Sequence, residues 1–357
     1  MNDDCLKLTT YFGERDRTPN GLLSDELMAV YGAHRVQASI LLRGGEGFGR
    51  LHHLHTDRLL SLSEDLPVVS IAIDDRRRIE SMLDEVLQIK RRGLITLERA
   101  RLLSGEVGRV DLPEQFGEAT KLTVYIGRQE RVGRVPAFMA VCDLLHRRGI
   151  AGDSVLLGVD GTRRGHRSRA RFIGRNADVP MMVIAVGAGE RIAAVLPELA
   201  GVLHEPLITL ERVRVCKRDG ELLATPQELP GIDEHGLALW QKLMVYTSNS
   251  ATRAGQPLHL AIVRRLREAG AAGATCLRGI WGFHGDHAHH GDKLLQIRQV
   301  PVCTIAIDTP ERTARSFQII DELTSDHGLI TSEMVPAVAA MSHSETHGGL
   351  RLANLDF

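Results

Sequence analysis

Short stretches in which apolar and polar residues alternate recur along the chain in a fixed order. The first is Lys7-Leu8-Thr9-Thr10-Tyr11, which returns as Lys121-Leu122-Thr123-Val124-Tyr125 and as Lys242-Leu243-Met244-Val245-Tyr246. Alternation with Thr and Tyr predicts a strand. Helical spacing follows it. Leu258, Ala261, Ile262 and Leu266 share one helix face, as do Ala137, Phe138, Val141, Leu144 and Leu145. Gly149 and Gly270 then stand where a left-handed helix end is wanted. A second strand is predicted at 39–43, 154–157 and 274–278, followed by a long polar loop and a Pro-led third strand at 67–74, 180–187 and 301–308. A second helix comes next, over 76–89 in the first copy with Ile79, Met82, Leu83 and Val86 on one face, and a strand at 94–102 closes the unit. That last segment, Leu94-Ile95-Thr96-Leu97-Glu98-Arg99, is repeated letter for letter at 207–212 and in part as Leu329-Ile330-Thr331.

Four motifs in constant order define three copies of one unit of roughly 95 residues, the size of a small domain. The units are delimited at 5–103, 121–216 and 241–338, with Gly-, Pro- and acid-rich linkers at 104–120 and 217–240. A C-terminal tail covers 339–357, and the Ser, His and Gly of 342–349 predict poor order there. The order βαββαβ is the ferredoxin-like arrangement, an α+β class with two helices on one face of an antiparallel sheet. In the third strand Val68, Val69, Ile71, Ala72 and Ile73 are apolar on both alternations. A sheet with one wet face should alternate, so both faces are expected to be covered, one by helices and the other by the sheets of the remaining copies. The expectation is an intramolecular pseudo-trimer, a monomer of three domains around one core.

Composition narrows the function classes. The chain has 357 residues, 43% hydrophobic and 25% charged, which suits a globular protein. Aromatics are 4%, too few for a stacking platform, and the net charge of -1 argues against wholesale binding to nucleic acid or anionic membrane. No apolar run is long enough for membrane insertion. The N-terminus lacks a signal pattern, and five dispersed cysteines without C-x-x-C fit a reducing, cytoplasmic setting as buried small hydrophobes.

Particular residues carry a family resemblance. Leu41-Leu42-Arg43-Gly44, Gly47-Phe48-Gly49, His55-Thr56, Leu59-Leu60 and the run 62–69 resemble the domain of unknown function 190 family, itself similar in fold to PII signal-transduction proteins. The third copy matches through Arg278-Gly279, Gly282-Phe283 and Val300-Pro301-Val302; the second diverges most. The resemblance implies a trimeric arrangement of ferredoxin-like units, adenine nucleotide (ATP, ADP or AMP) in clefts between them, and a long loop between strands two and three that engages a protein partner such as a membrane transporter or an enzyme. It implies regulation rather than catalysis. The phosphate loop of PII proteins is replaced by Lys90-Arg91-Arg92-Gly93, His204-Glu205-Pro206 and Asp326-His327-Gly328, so three equivalent sites are not expected.

Candidate ligand-binding residues for a small anion are Arg43, Gly44, Gly47, Phe48 and Gly49, with Arg278, Gly279, Gly282 and Phe283 in the third copy. Backbone N–H groups of such a turn can face an anion; the alternative is a loop base whose glycines serve the backbone. Arg99, Arg101, Arg212 and Arg214 on the last strands complete the set. Arg163, Arg164, His166, Arg167 and Arg169 make the second copy's loop basic and a candidate partner surface. A second functional reading is divalent-metal binding or metal tolerance: His52, His55 and Asp57, with His284, His287, His289, His290 and Asp292, offer Zn²⁺-type donors without a defined motif spacing. Glu98 and Glu211 are assigned to an edge or cap position beside an arginine. No nucleophile sits in a recognisable elbow, and no enzyme is expected.

Overall fold

The protein is seen in a computed structural model, which describes residues 2–49, 55–56, 65–90, 92–105, 119–169, 179–284, 300–326, 328–342 and 345–355. Each unit carries two helices: α1 (Leu23–Ala33) and α2 (Arg76–Ile89), α3 (Ala137–Arg147) and α4 (Gly189–Val202), α5 (Leu258–Glu268) and α6 (Pro310–Leu323). In α2 the apolar spacing places Ile79, Met82 and Val86 inward, and Asp75 caps the helix by accepting from the Arg78 N–H at 2.9 Å. The first helix of every unit is preceded by a two-residue hairpin arm, Arg17–Thr18 with Gly21–Leu22 in the first unit, which the sequence pattern does not announce. Gly149 and Gly270 end α3 and α5 at φ 69° and 78°, as a left-handed helix end requires.

The sheet order is the same three times. In the first unit the strand Ala38–Phe48 pairs with Pro67–Asp75, that with Asn2–Gly13, and that with Gly93–Ser104, all antiparallel. The second unit repeats this with Gly152–Leu157, Pro180–Gly187, Thr120–Gly127 and Leu207–Arg212. The third repeats it with Ala274–Arg278, Pro301–Asp308, Trp240–Ser248 and Leu329–Val335. The fold is therefore α+β in three tandem copies.

Four apolar clusters follow from the two faces of each sheet. One lies under each helix pair. The fourth draws on all three sheets, with Leu42 and Ile71, Leu156 and Met182, and Leu277 and Ile305 among its members. The doubly apolar third strand thus has the two covered faces that its pattern demands.

The edges of the three sheets are joined in two cyclic sets of seams. At the second-strand edge, Gly44–Phe48 of the first unit pairs with the third unit's Ala274–Leu277. The third unit's Trp281–His284 pairs with the second unit's 152–155, and the second unit's Asp160–Arg163 pairs with the first unit's 38–41. At the fourth-strand edge the ring closes the other way round. Residues 101–104 pair with 207–210, 214–218 with 329–332, and 337–341 with 93–97. Each edge strand finds a partner and is withdrawn from pairing with other chains.

Two sequence expectations change here. The start of the tail is not loose: Ala337–Met341 is a buried strand, and Thr346–Gly349 pairs with it. Ala337, Ala339 and Ala340 pair with Leu97, Ile95 and Leu94 of the first unit's sheet. The linker 217–240 also carries order, forming a hairpin of Arg214–Arg218 with Glu221–Leu222 and a turn in which buried Asp233 accepts the N–H groups of His235, Leu237 and Asn354.

The second-strand seam also exchanges side chains. Phe48 of the first unit is buried in the third unit's core with Leu243, Leu258 and Ile262. Phe48→Ala should therefore destabilise the whole chain by about 3–5 kcal/mol, read from urea unfolding. A loss under about 1 kcal/mol would mean that the seam does not hold the units together.

Candidate functional site

The chemistry of the centre begins with strand register. Lys7 stands opposite Glu98, Lys121 opposite Glu211, and Lys242 opposite Glu333, one first-strand lysine facing one fourth-strand glutamate in each unit. All six point away from the helices into the space shared by the three sheets, and all are buried. Within the units the ammonium–carboxylate distances are 3.2 Å for Lys7–Glu98, 3.2 Å for Lys121–Glu211 and 2.9 Å for Lys242–Glu333. Between units Lys7 bonds Glu211, Lys242 bonds Glu98, and Lys121 bonds Glu333 at 2.5 Å. The result is a closed ring in which every lysine touches two glutamates and every glutamate two lysines.

The ring is neutral, and its electrostatics are cooperative. Burial pushes the Glu98 carboxyl up, but the ammoniums of Lys242, Lys7 and Lys121 outweigh it and hold it well below the usual carboxylate range. Glu211 is held down in the same way by Lys121, Lys7 and Lys242. Burial works against the charged forms of Lys7 and Lys242, and the surrounding carboxylates overcome it to raise both. For Lys121 burial prevails, and its ammonium is lowered. A cavity of about 40 Å³ adjoins the ring, lined by Thr9 and Thr123, Tyr11 and Tyr125, and Met244. Ring residues Lys7, Glu98, Lys121, Glu211 and Lys242 also border it, and it is large enough for water.

Glu98 and Glu211 are thus not at an edge or cap; they are at the centre, paired with lysines rather than with a neighbouring arginine. Lys7, Lys121, Lys242 and Glu333 carry the same arrangement and escape the sequence reading. The signal was present, since a lysine opens the same strand motif three times and a glutamate closes the same fourth-strand motif twice more visibly than the third time. Among the described residues the three glutamates are also the one carboxylate grouping with metal-ligand spacing. Each of these carboxylates is already paired with two ammoniums, so the set is balanced in charge without a metal ion.

The glycine-rich segments after the second strands have a packing role. A methyl on Gly47 would come within 2.6 Å of the Ala274 carbonyl oxygen across the seam, and one on Gly44 within 2.7 Å of Pro67 Cγ. In the second copy Gly161 is pressed against the Ser39 carbonyl and Pro180, and in the third Gly279 and Gly282 lie against Pro301. Glycine is there because backbone meets backbone and the proline that opens the third strand. Gly49 borders open space.

The candidate arginines are dispersed. Arg43 pairs with Glu14 and is exposed, as is Arg278. Arg99 donates to the Ala353 carbonyl at 3.0 Å, while Arg101, Arg212 and Arg214 are half-buried. Phe283 and His284 lie in the strand Trp281–His284 at the third seam. Lys90, at the place of the phosphate loop, is buried with its amine donating to the carbonyls of Tyr11 (2.9 Å) and Arg92 (2.6 Å), and burial pushes it down to about 7 against the pull of Asp16.

The basic loop of the second copy is tied inward. Arg163 pairs with Glu130 at 2.8 Å, Arg167 with Asp160 at 2.7 Å and Arg169 with Asp25 of α1 at 3.0 Å, and Arg164 bonds Glu205. His166 is exposed on the same hairpin. Of the metal candidates, His55 pairs through its backbone with Gly47; His52, Asp57, His287, His289, His290 and Asp292 lie outside the described residues. All five cysteines are free and buried, and burial pushes the Cys276 thiol up to about 12.

These features define a class: a tandem three-unit α+β protein whose sheets are locked by cyclic seams around a buried charge ring. The chain belongs to the family described as uncharacterized ACR, domain of unknown function 190, whose profile matches at 5–102, 119–215 and 240–337. Among its relatives are two proteins of Aquifex aeolicus (strain VF5), each called "UPF0166 protein". One is 33% identical over 98 residues, 27% of this chain and 90% of the relative; the other is 30% identical over 67 residues, 19% of this chain and 70% of the relative.

Removing one lysine strands two buried carboxylates, so Lys121→Met should cost about 3–5 kcal/mol in urea unfolding; a near-neutral result would remove the ring from the stabilising interactions. The pH dependence follows from the lowered carboxyls. The contribution of Glu98 and Glu211 is full above the ordinary carboxyl range and is lost as pH falls through their lower folded values. Acid unfolding of Lys121→Met, followed by circular dichroism, should begin at higher pH than that of the native chain.

Proposed function

We infer that this chain is a non-enzymatic, cytoplasmic regulatory protein of PII-like type, three ferredoxin-like units fused as a pseudo-trimer. In this reading a small anion, with adenine nucleotide as the leading candidate, enters a cleft between units. The loops between the second and third strands then carry the response to a protein partner. The observation that supports it is the second-strand seam. Each loop root, 44–48, 160–163 and 281–284, is clamped to the neighbouring unit by strand pairing. A ligand that widens or tightens one seam acts directly on the base of one loop, and differential affinity for the two seam states shifts the loop population. The relative matched over 90% of its length by 98 residues is about one unit long, which suits a scaffold first assembled from separate copies. Fusion lets the three loops diverge: one is basic, and two are rich in histidine.

The reading is tested by thermal shift of the full chain against ATP, ADP, AMP, phosphate and Zn²⁺. A ligand at a hundredfold excess over its Kd adds about 2.7 kcal/mol, a shift easily resolved. Nucleotide-dependent stabilisation is expected. No shift with any nucleotide, together with no calorimetric heat at millimolar ligand, overturns the nucleotide reading; a shift with Zn²⁺ alone would transfer function to the histidine loops.

A further inference from the structure

One buried position sets the second unit apart from the other two. In the first unit Asp74, 2% exposed, is the penultimate residue of the third strand and accepts two backbone N–H groups: Gln37 on Oδ2 at 2.9 Å and Asp75 on Oδ1 at 2.7 Å. In the third unit Asp308 does the same for Ala272 (2.8 Å) and Thr309 (2.9 Å). Each carboxylate therefore joins the turn before the second strand to the start of the unit's second helix. Strand register places Gly187 at the corresponding point of the second unit. Gly187 pairs with Thr120, just as Asp74 pairs with Leu6 and Asp308 with Gln241, each partner preceding a ring lysine.

Gly187 brings no carboxylate. The N–H groups that would correspond to the two acceptor contacts are those of Ala151 and Ala188, and among the described residues no side chain accepts from either. Ala188 also begins α4 without a side-chain cap. A cavity of about 570 Å³ opens at this place, bordered by Gly187, Ala188, Ala151, Arg191, Arg214 and Arg218. Its described walls hold three arginines and no acidic residue. Arg191 is held at the rim by its bond to the Gly149 carbonyl at 2.7 Å. The Arg218 Nε is buried and makes no hydrogen bond.

We propose that the second unit has exchanged an internal carboxylate for a binding site, in which the phosphoryl group of a small phosphorylated metabolite takes the place that Asp74 and Asp308 fill in the sister units. The chemistry matches in three respects. Two backbone donors and the N-terminus of a 14-residue helix favour an anion. Guanidinium groups suit phosphate oxygens. The volume lies in the range of small-molecule sites. The site goes beyond the second-strand-seam reading: its Arg214 and Arg218 lie on the strand that forms the fourth-strand seam with the third unit. Gly187 ends the eight-residue strand whose first residue, Pro180, touches the loop root, so about 23 Å of strand lies between them.

The test uses the full chain and inorganic pyrophosphate as probe, with glycerol 3-phosphate as an organic phosphate arm, in low-salt calorimetry. Saturable binding is expected and should weaken steeply with added salt. Gly187→Asp restores the sister arrangement. The atoms nearest a Cβ there are side-chain carbons of Ile150 and Ile192, at 3.0 Å and beyond. This variant should fold, melt at or above the native temperature and bind pyrophosphate at least tenfold more weakly. Arg218→Ala should weaken binding by a similar factor with an unchanged melting temperature, which covers the case in which Gly187→Asp fails to fold. Absence of saturable binding to the native chain, or undiminished binding in both variants, overturns the proposal. Binding of nucleotide at a seam would be unaffected by Gly187→Asp, so the two readings fail separately.

Discussion

The charge ring is the constraint on which the architecture turns. Six ionised side chains taken out of water cost far more than any one pair returns. The arrangement holds only because each group has two opposite neighbours, one supplied by its own unit and one by the next. A unit on its own would bury an ammonium and a carboxylate with half their partners missing. Sliding one strand by a single residue would turn the lysine toward the helices and strand the glutamate opposite. The ring therefore selects both the register within each sheet and the order in which the sheets meet, which apolar packing alone specifies loosely.

The seams complete what the ring begins. Two cyclic sets of strand exchange run in opposite senses around the assembly, one through the second strands and one through the fourth. Their chemistry is not uniform. At the position of Glu46, which faces His259 of α5, the second unit has Asp160 paired with Arg167, and the third has Trp281 stacked edge-on against Phe138. Equivalent joints with different side chains make the units non-interchangeable, so the order of assembly is written into the contacts as well as into the linkers.

Much of the fold is legible in the sequence because it is local. The repeat motifs, the helix faces and the doubly apolar third strand each declare an element or a covered surface. What is not legible arises from pairing at a distance. A glycine-rich stretch such as 44–49 looks alike whether it cradles a ligand or lies against a neighbour's backbone, and only the Ala274 carbonyl beside Gly47 decides. A lysine in a strand reads as solvent-facing unless the partner carboxylates of two other segments are placed beside it. The buried strand Ala337–Met341 is a run of small residues whose role exists only against the first unit's sheet. Gly187 carries no signal of its own; it becomes informative when set beside Asp74 and Asp308 in register.

The opposed senses of the two seam sets mean that covalent order and structural order are independent in this molecule. Each unit is gripped on both edges by both of its fellows. Damage to one unit's edge is therefore felt by its neighbours. One repeat can therefore do without an internal anchor, as the second does at Gly187, while the other two keep theirs and the circle stays shut.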